Sequence, residues 1–275
     1  MRAILAAAAL GLVLTGCDLL PGGDGDGRPG QDGEQTAQAQ DPTAALPGAF
    51  ERMLTTPEEL TPQDRDALSG AQMHFNMANE ELRQDRLHKA AERFERALVL
   101  VNDYLPAMVG VGRTYHRLRK YGAALKSYEQ SLELSRRLQP GNRPQEAMIH
   151  LYMGNLYADC ERYEEAITSF QTALELVPDM TPAHYALGHL YLEQGEWALA
   201  TERFNRTLEL DGSPDYYKAR VGRAIANHRM GNHARAWEDL MFLEQNGMQV
   251  SDSLKASIRT AMKEKRRGEL FRPGS

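Results

Sequence analysis

The chain has 275 residues, with 32 Lys and Arg against 38 Asp and Glu and a formal net charge of -6. That acidic balance excludes general nucleic-acid binding, which leaves a basic stripe or a high isoelectric point. Aromatic residues make up only 7%, and most of them fall in recurring positions.

At the start, Arg2 precedes an apolar run from Ala3 to Leu14, followed by Leu14-Thr15-Gly16-Cys17. About a dozen apolar residues are too few for the roughly 20 that cross a bilayer as a helix, but they suit the central region of an export signal. The box placed directly after that run resembles a bacterial lipoprotein signal peptide. The resemblance implies a leader over residues 1–16, cleavage after Gly16 and a covalent lipid on Cys17. It also places the mature chain in the bacterial cell envelope, held to a membrane by its anchor and facing the periplasm. Asp18 follows the lipidated position, a residue that favours inner-membrane retention in enteric bacteria, and the choice of inner or outer membrane stays open. The leader carries only Arg2, so the mature chain is slightly more acidic than the whole. With Cys17 consumed by lipid, Cys160 is expected to be a small apolar residue near a helix end, and no intramolecular disulfide is expected.

Residues 17–48 are the lipid-bearing cysteine and a flexible linker, rich in Gly, Asp, Gln and Ala, that cannot bury enough surface to fold. About 30 such residues span roughly 30 Å, enough to hold a domain clear of lipid headgroups. Residues 49–70 form an N-terminal helical extension, with Thr61-Pro62 and then Asp64 reading as a helix start. The signals leave open whether it is a cap or one long helix running through Gly70.

Beyond it, Ala78, Gly112, Gly154, Gly188 and Ala224 recur at one slot. Ala90, Ala124, Ala166, Ala200 and Ala236 follow at a second, and Phe94, Tyr128, Phe170, Phe204 and Leu240 at a third. This period of about 34 residues, with these residue types, resembles the tetratricopeptide repeat, in which small residues let paired helices approach and aromatics fill the gap between them. The implied fold is all-α, a right-handed superhelical solenoid of about five helix-turn-helix repeats. The repeats run over about 71–104, 105–138, 147–180, 181–214 and 217–250, one domain over 71–250, with an insertion around Pro140-Gly141-Asn142-Arg143-Pro144.

Gly195 and Gly231 fall where first helices end, and Pro178 follows a second helix. Thr181-Pro182 and Ser213-Pro214 read as a capping residue before a first-turn proline. Leu254, Ile258, Ala261 and Met262 share one side of a capping helix over 251–267, ahead of a tail at 268–275. Lys263, Lys265, Arg266 and Arg267 then sit as cations at its C-terminal end. Tyr115, Tyr157 and Tyr191, like Tyr121, Tyr163 and Trp197, recur with the repeat and are expected in the core.

No chemistry emerges to place in this scaffold. His150 and His184 occupy equivalent slots, with His74 at a similar one, too far apart in a stack to share an ion. No zinc-ligand pair, nucleophile elbow or phosphate-binding loop occurs, and Gly110-Val111-Gly112 lacks the third glycine and the preceding strand of a dinucleotide loop. The chain is therefore expected to have no catalytic residue, metal or cofactor.

In tetratricopeptide repeats the first helices line the ligand groove, and the resemblance assigns that lining to the residue after each small slot, Asn79, Arg113, Asn155, His189 and Ile225. One turn earlier lie Phe75, Val109, Leu151, Tyr185 and Val221; one turn later come Leu82, His116, Ala158, Leu192 and His228. Such an apolar groove with a few polar points suits a peptide segment with apolar anchors. The chain is expected to be an envelope adaptor for a protein partner. Repeat-bearing lipoproteins of similar length include pilotins for type IV pilus secretins and adaptors for peptidoglycan hydrolases. A homo-oligomeric scaffold is the alternative.

Overall fold

A computed structural model describes residues 48–211 and 216–270. The leader, Cys17, the linker through residue 47, the Ser213-Pro214 pair and residues 271–275 lie outside the described residues. The described elements are all helical. A short α1 (Ala49–Thr55) and a single 3-10 turn (Pro57–Glu59) precede α2 (Pro62–Arg83), α3 (Leu87–Leu100), α4 (Leu105–Arg117) and α5 (Tyr121–Leu138). Then come α6 (Arg143–Asp159), α7 (Tyr163–Leu176), α8 (Thr181–Gln194), α9 (Trp197–Leu210), α10 (Tyr217–Arg229), α11 (His233–Gln245) and α12 (Asp252–Leu270). The residues form two compact units that divide within α5, between Leu134 and Ser135.

In the first unit α2 packs on α3, α3 on α4, and α1 on α2. In the second, each helix from α6 to α12 packs on its successor, while α8 also meets α6 and α10. The repeating slots explain these contacts. A Cβ built on Gly188 would lie 2.6 Å from the Phe204 ring, and one on Gly154 would lie 2.5 Å from Phe170. Both rings are fully buried, at 0% and 1% exposure. The missing side chains let α8 and α9, and α6 and α7, close onto a ring, whose burial contributes about 1.5–3 kcal/mol. Gly222 meets the same Phe204 from the following hairpin. One ring thus ties two hairpins together.

Polar groups reinforce the second unit at its far end. Buried Asp239 takes two hydrogen bonds from Arg223, from Nε at 2.9 Å and Nη2 at 2.5 Å, while Arg223 Nη1 donates to Asn205 at 2.7 Å. This joins α9, α10 and α11 through one guanidinium. On α12, Ile258 is fully buried against Leu240 and Leu243, with Leu254 and Met262 beside it, so the last hairpin is covered.

The helix ends have local causes. Thr61 and Asp64 form a reciprocal capping box, and α2 runs from Pro62 unbroken through Gly70 as one long helix. At the end of each first helix the chain turns through a left-handed residue, Gly195 at φ 78° and Gly231 at φ 79°, but also Asp85, Arg119 and Glu161 at 56–59°. The next N–H then bonds back into the helix, from Arg86 to Glu81, Lys120 to Tyr115, Arg162 to Tyr157, Glu196 to Tyr191 and Asn232 to Asn227. These are Schellman-type stops. Asp, Arg and Glu hold that backbone at a steric cost that glycine avoids.

Several expectations change. Thr181 is the first residue of α8 rather than its cap; Met180 holds the cap position, and no side-chain cap bond forms there. The insertion is absorbed largely as helix, since α5 runs to Leu138 and α6 starts at Arg143, with Asn142 accepting from the Gln145 N–H. Of the six aromatics expected in the core only Tyr191 is buried; Tyr121, Tyr163 and Trp197 are half-buried, as are Tyr115, which donates to Glu95 at 2.6 Å, and Tyr157, which lies under Arg162 at 4.8 Å. Cys160, at the C-cap of α6, is disulfide-bonded, so the expectation of no disulfide does not hold.

Replacing Glu161 with glycine should raise stability by about 0.5–1 kcal/mol, the relief of left-handed strain exceeding the entropy that glycine adds to the unfolded chain. Gly188→Val should lower it by about 3 kcal/mol, because the Phe204 ring has nowhere to move. Thermal or urea unfolding of the two variants checks both signs.

Candidate peptide-binding surface

The candidate lining residues sort by depth. In the first unit, Phe75 and Asn79 are half-buried on α2, while Val109 is 9% exposed and Arg113 projects into solvent from α4. Asn79 Nδ2 donates to the Phe75 carbonyl at 3.0 Å, so its amide is turned to its own helix. His116 is half-buried with its ring 6.0 Å from that of Tyr121. In the second unit Asn155 is exposed, Tyr185, His189, Val221 and Ile225 are half-buried, and Leu151 is 6% exposed within the main apolar cluster. Leu151 is therefore core, as is Leu82 at 6%.

Two aromatic groupings stand out on these faces. On the first unit, Phe75 lies 5.8 Å from Phe94 and 5.9 Å from Tyr104 between ring centroids. On the second, Tyr185 lies 6.4 Å from Phe204, 5.6 Å from Tyr216 and 4.7 Å from His189. His189 in turn sets its ring 5.4 Å from Phe204 at 85°. These separations suit edge-to-face and tilted packing, in which ring edges meet the electron-rich faces. Tyr104 and Tyr216, each at the N-cap of the following first helix, carried no repeating small-residue signal that would have marked them in the sequence.

Burial lowers the pKa of His74, His150, His184, His189 and His228. His189 has its pKa lowered by desolvation and further by Lys218, and its Nε2 is buried without a hydrogen-bond partner. At a different slot, which His184 on α8 shares with His150 and His74, the pKa is also lowered, first by burial. His184 Nε2 lies 2.9 Å from the Pro178 carbonyl, which can only accept, so that nitrogen carries the proton. His228 instead meets His233, Nδ1 to Nδ1 at 2.9 Å, with Ser257 at 3.0 Å from its other nitrogen. Among the described residues no group of three or more His, Cys, Asp or Glu side chains could hold a metal ion, and no described helix is long and apolar enough to cross a membrane.

Comparison with known proteins identifies the unit of this architecture. Residues 107–141 and 185–240 match models of the tetratricopeptide repeat, and residues 154–195 match a model of the same repeat. The chain carries tetratricopeptide repeats. Human protein O-mannosyl-transferase TMTC3 is 27% identical over 150 residues, which are 52% of this chain and 16% of that protein. The Saccharomyces cerevisiae mitochondrial import receptor subunit TOM70 is 37% identical over 95 residues, 34% of this chain and 15% of the receptor subunit. The chain thus matches only about a sixth of the length of these relatives. Among solved structures, Pseudomonas aeruginosa pilF superposes with a TM-score of 0.59 at 17% identity, covering 76% of this chain and 95% of that one. Desulfovibrio magneticus MamA gives 0.52 at 19% identity, covering 64% and 94%. These likenesses show the fold, and repeats of this kind are modules for protein–protein interaction.

Because these histidines titrate below the ordinary value of 6.5 in the folded chain, the unfolded state binds more protons as the medium turns acidic. Stability should be complete above pH 6.5 and fall as pH drops through the lower folded-state values. Melting temperatures measured between pH 7.5 and 5 should show the decline, and His189→Gln should flatten part of it.

Proposed function

We propose that this chain is a lipid-anchored, periplasm-facing adaptor that binds a protein partner in an envelope assembly and carries out no catalysis. The observation that carries the reading is the division of labour on the first helices. The small repeat slot is used up in packing, at 0% exposure for Ala78 and Ala224, yet half-buried Phe75 and Tyr185 and exposed Asn155 remain on first helices. The histidines that might suggest chemistry sit at packing slots. A pilotin for a type IV pilus secretin is the most specific form of the proposal; it is supported by the order of lipoprotein leader, linker and repeats, and the likeness to pilF supplies the fold alone.

The anchor is proposed on Cys17, with the linker as tether. The lipid proposal predicts that the mature chain incorporates labelled palmitate, partitions with membranes, and loses both properties in Cys17→Ser. A mature chain without lipid would contradict it. For the adaptor, proximity crosslinking of the tethered chain in its native cells should capture one dominant envelope protein, and loss of secretin multimers on gene deletion would mark the pilotin case. Self-crosslinks alone would turn the reading to a homo-oligomeric scaffold.

A further inference from the structure

We propose that the cleft between the start of α8 and the outer face of α9 binds a carboxyl group, held between the His184 imidazole and the Arg203 guanidinium and taken up together with one proton. None of the residues involved belongs to the first-helix groove, so the inference stands apart from the adaptor reading.

The cleft has a volume of about 440 Å³ and is lined by Pro178 and Asp179, by His184 on α8, and by α9 residues from Glu202 to Glu209. His184 is only 6% exposed. Its Nε2 donates to the Pro178 carbonyl at 2.9 Å, which leaves Nδ1 as an acceptor, and Nδ1 is buried without a hydrogen-bond partner. Arg203 Nε, a donor, is likewise buried without a partner. Its Nη2 lies 3.7 Å from Glu202, too far for a hydrogen bond. Arg206, by contrast, is satisfied, donating to Asp179 at 2.6 Å and to Glu209 at 3.2 Å. A buried donor and a buried acceptor beside one cleft are costly to keep unpaired, and a ligand that bridges them recovers that cost.

The last repeat shows what the same slots do with a carboxylate in place. Positions 184 and 203 recur 36 residues on as Arg220 and Asp239. Asp239 accepts from Nε and Nη2 along one edge of Arg223 and lies 3.6 Å from Arg220. In the fourth repeat both positions carry nitrogen bases, and the Nε edge of Arg203 is the one left without an acceptor. A carboxylate from outside the chain supplies it, one oxygen accepting from Arg203 Nε and the other from His184 Nδ1 once that nitrogen is protonated. Both atoms are closed to solvent, and Arg203, with its side chain 27% exposed and no close carboxylate, is the group that swings to admit the ligand.

Charge fixes the need for the proton. Two guanidiniums, Arg203 and Arg206, face three carboxylates, Asp179, Glu202 and Glu209, around the cleft. A bare anion would enter a site already net negative, whereas an anion with a proton on His184 leaves its charge unchanged. Burial lowers the His184 pKa, the Pro178 carbonyl raises it, Arg203 and Arg206 lower it, and Asp179 raises it. A carboxylate against Nδ1 adds an opposite charge and lifts it. Affinity therefore grows as pH falls, for as long as the ligand's own carboxyl, with an ordinary pKa of about 4.3, stays ionised.

The test titrates glutarate, and separately a blocked tripeptide with a central glutamate, into the full chain by calorimetry, with the His184 Cε1–H NMR resonance locating the site. Both probes are expected to bind and to move that resonance, with affinity rising close to tenfold per pH unit from pH 7.5 to 6.5, the slope of one proton taken up. Arg203→Gln should weaken binding about tenfold, and His184→Gln should abolish the pH slope. Glu202→Gln, at a side chain 64% exposed, removes the carboxylate that competes for Arg203 and should strengthen binding about threefold, whether or not Arg203→Gln folds well. His150→Gln, at the equivalent slot opposite Ser169, should change nothing. Tighter binding of the tripeptide assigns the site to an acidic residue of a protein, and tighter binding of glutarate to a free dicarboxylate. A His184 resonance that neither probe moves, binding without a pH slope, or binding indifferent to both Arg203→Gln and Glu202→Gln would overturn the proposal.

Discussion

Everything in this molecule depends on how closely two helices can approach at one slot. Where Gly112, Gly154 or Gly188 faces a ring, the ring occupies the space that a side chain would take. The glycine costs helix propensity of roughly 1 kcal/mol, which burial of a whole aromatic side chain more than offsets. Phe204 extends the arrangement by meeting Gly188 within its hairpin and Gly222 of the next. Stacking of hairpins within a unit is then a property of the ring, not only of the apolar stripe.

Consuming the large buried rings in this way has a consequence for function. The first helices are packed along one side by the slots and along another by neighbouring helices, which leaves a third side to carry Phe75, Tyr185, Val221 and Ile225 at intermediate depth. Rings held there against other rings, as Tyr185 is against Phe204 and Tyr216, are pre-oriented before any ligand arrives. Such preorganisation reduces the ordering cost of association, which suits a surface meant for docking.

The repeating slots were legible in the sequence because each demands a residue type, small against large, at a spacing that no other requirement disturbs. Helix starts with a side-chain cap were legible too, as at Thr61 and Asp64. Three things were not. Leu151 shares its helical position with Tyr185, but spacing reports the face of a helix and not its depth, and Leu151 is buried within the main apolar cluster while Tyr185 is only partly buried against it. The left-handed turns at Asp85, Arg119 and Glu161 gave no glycine to read, since the Schellman bond holds them in spite of their side chains. The seat of α1 on Tyr104 depends on Asp103, in a connection between hairpins, accepting from N–H groups far away in the chain. No periodic pattern encodes that contact.

The most direct measurement compares two positions of equal sequence standing, Tyr185 and Leu151. Each would be replaced singly by serine, with melting temperature and partner capture measured side by side. If packing and docking are separate layers of these helices, Leu151→Ser lowers the melting temperature far more than Tyr185→Ser, while among the molecules that remain folded only Tyr185→Ser loses its partner. Equal thermal losses with capture untouched at Tyr185 would show that the half-buried rings are core after all, and that the partner is held elsewhere.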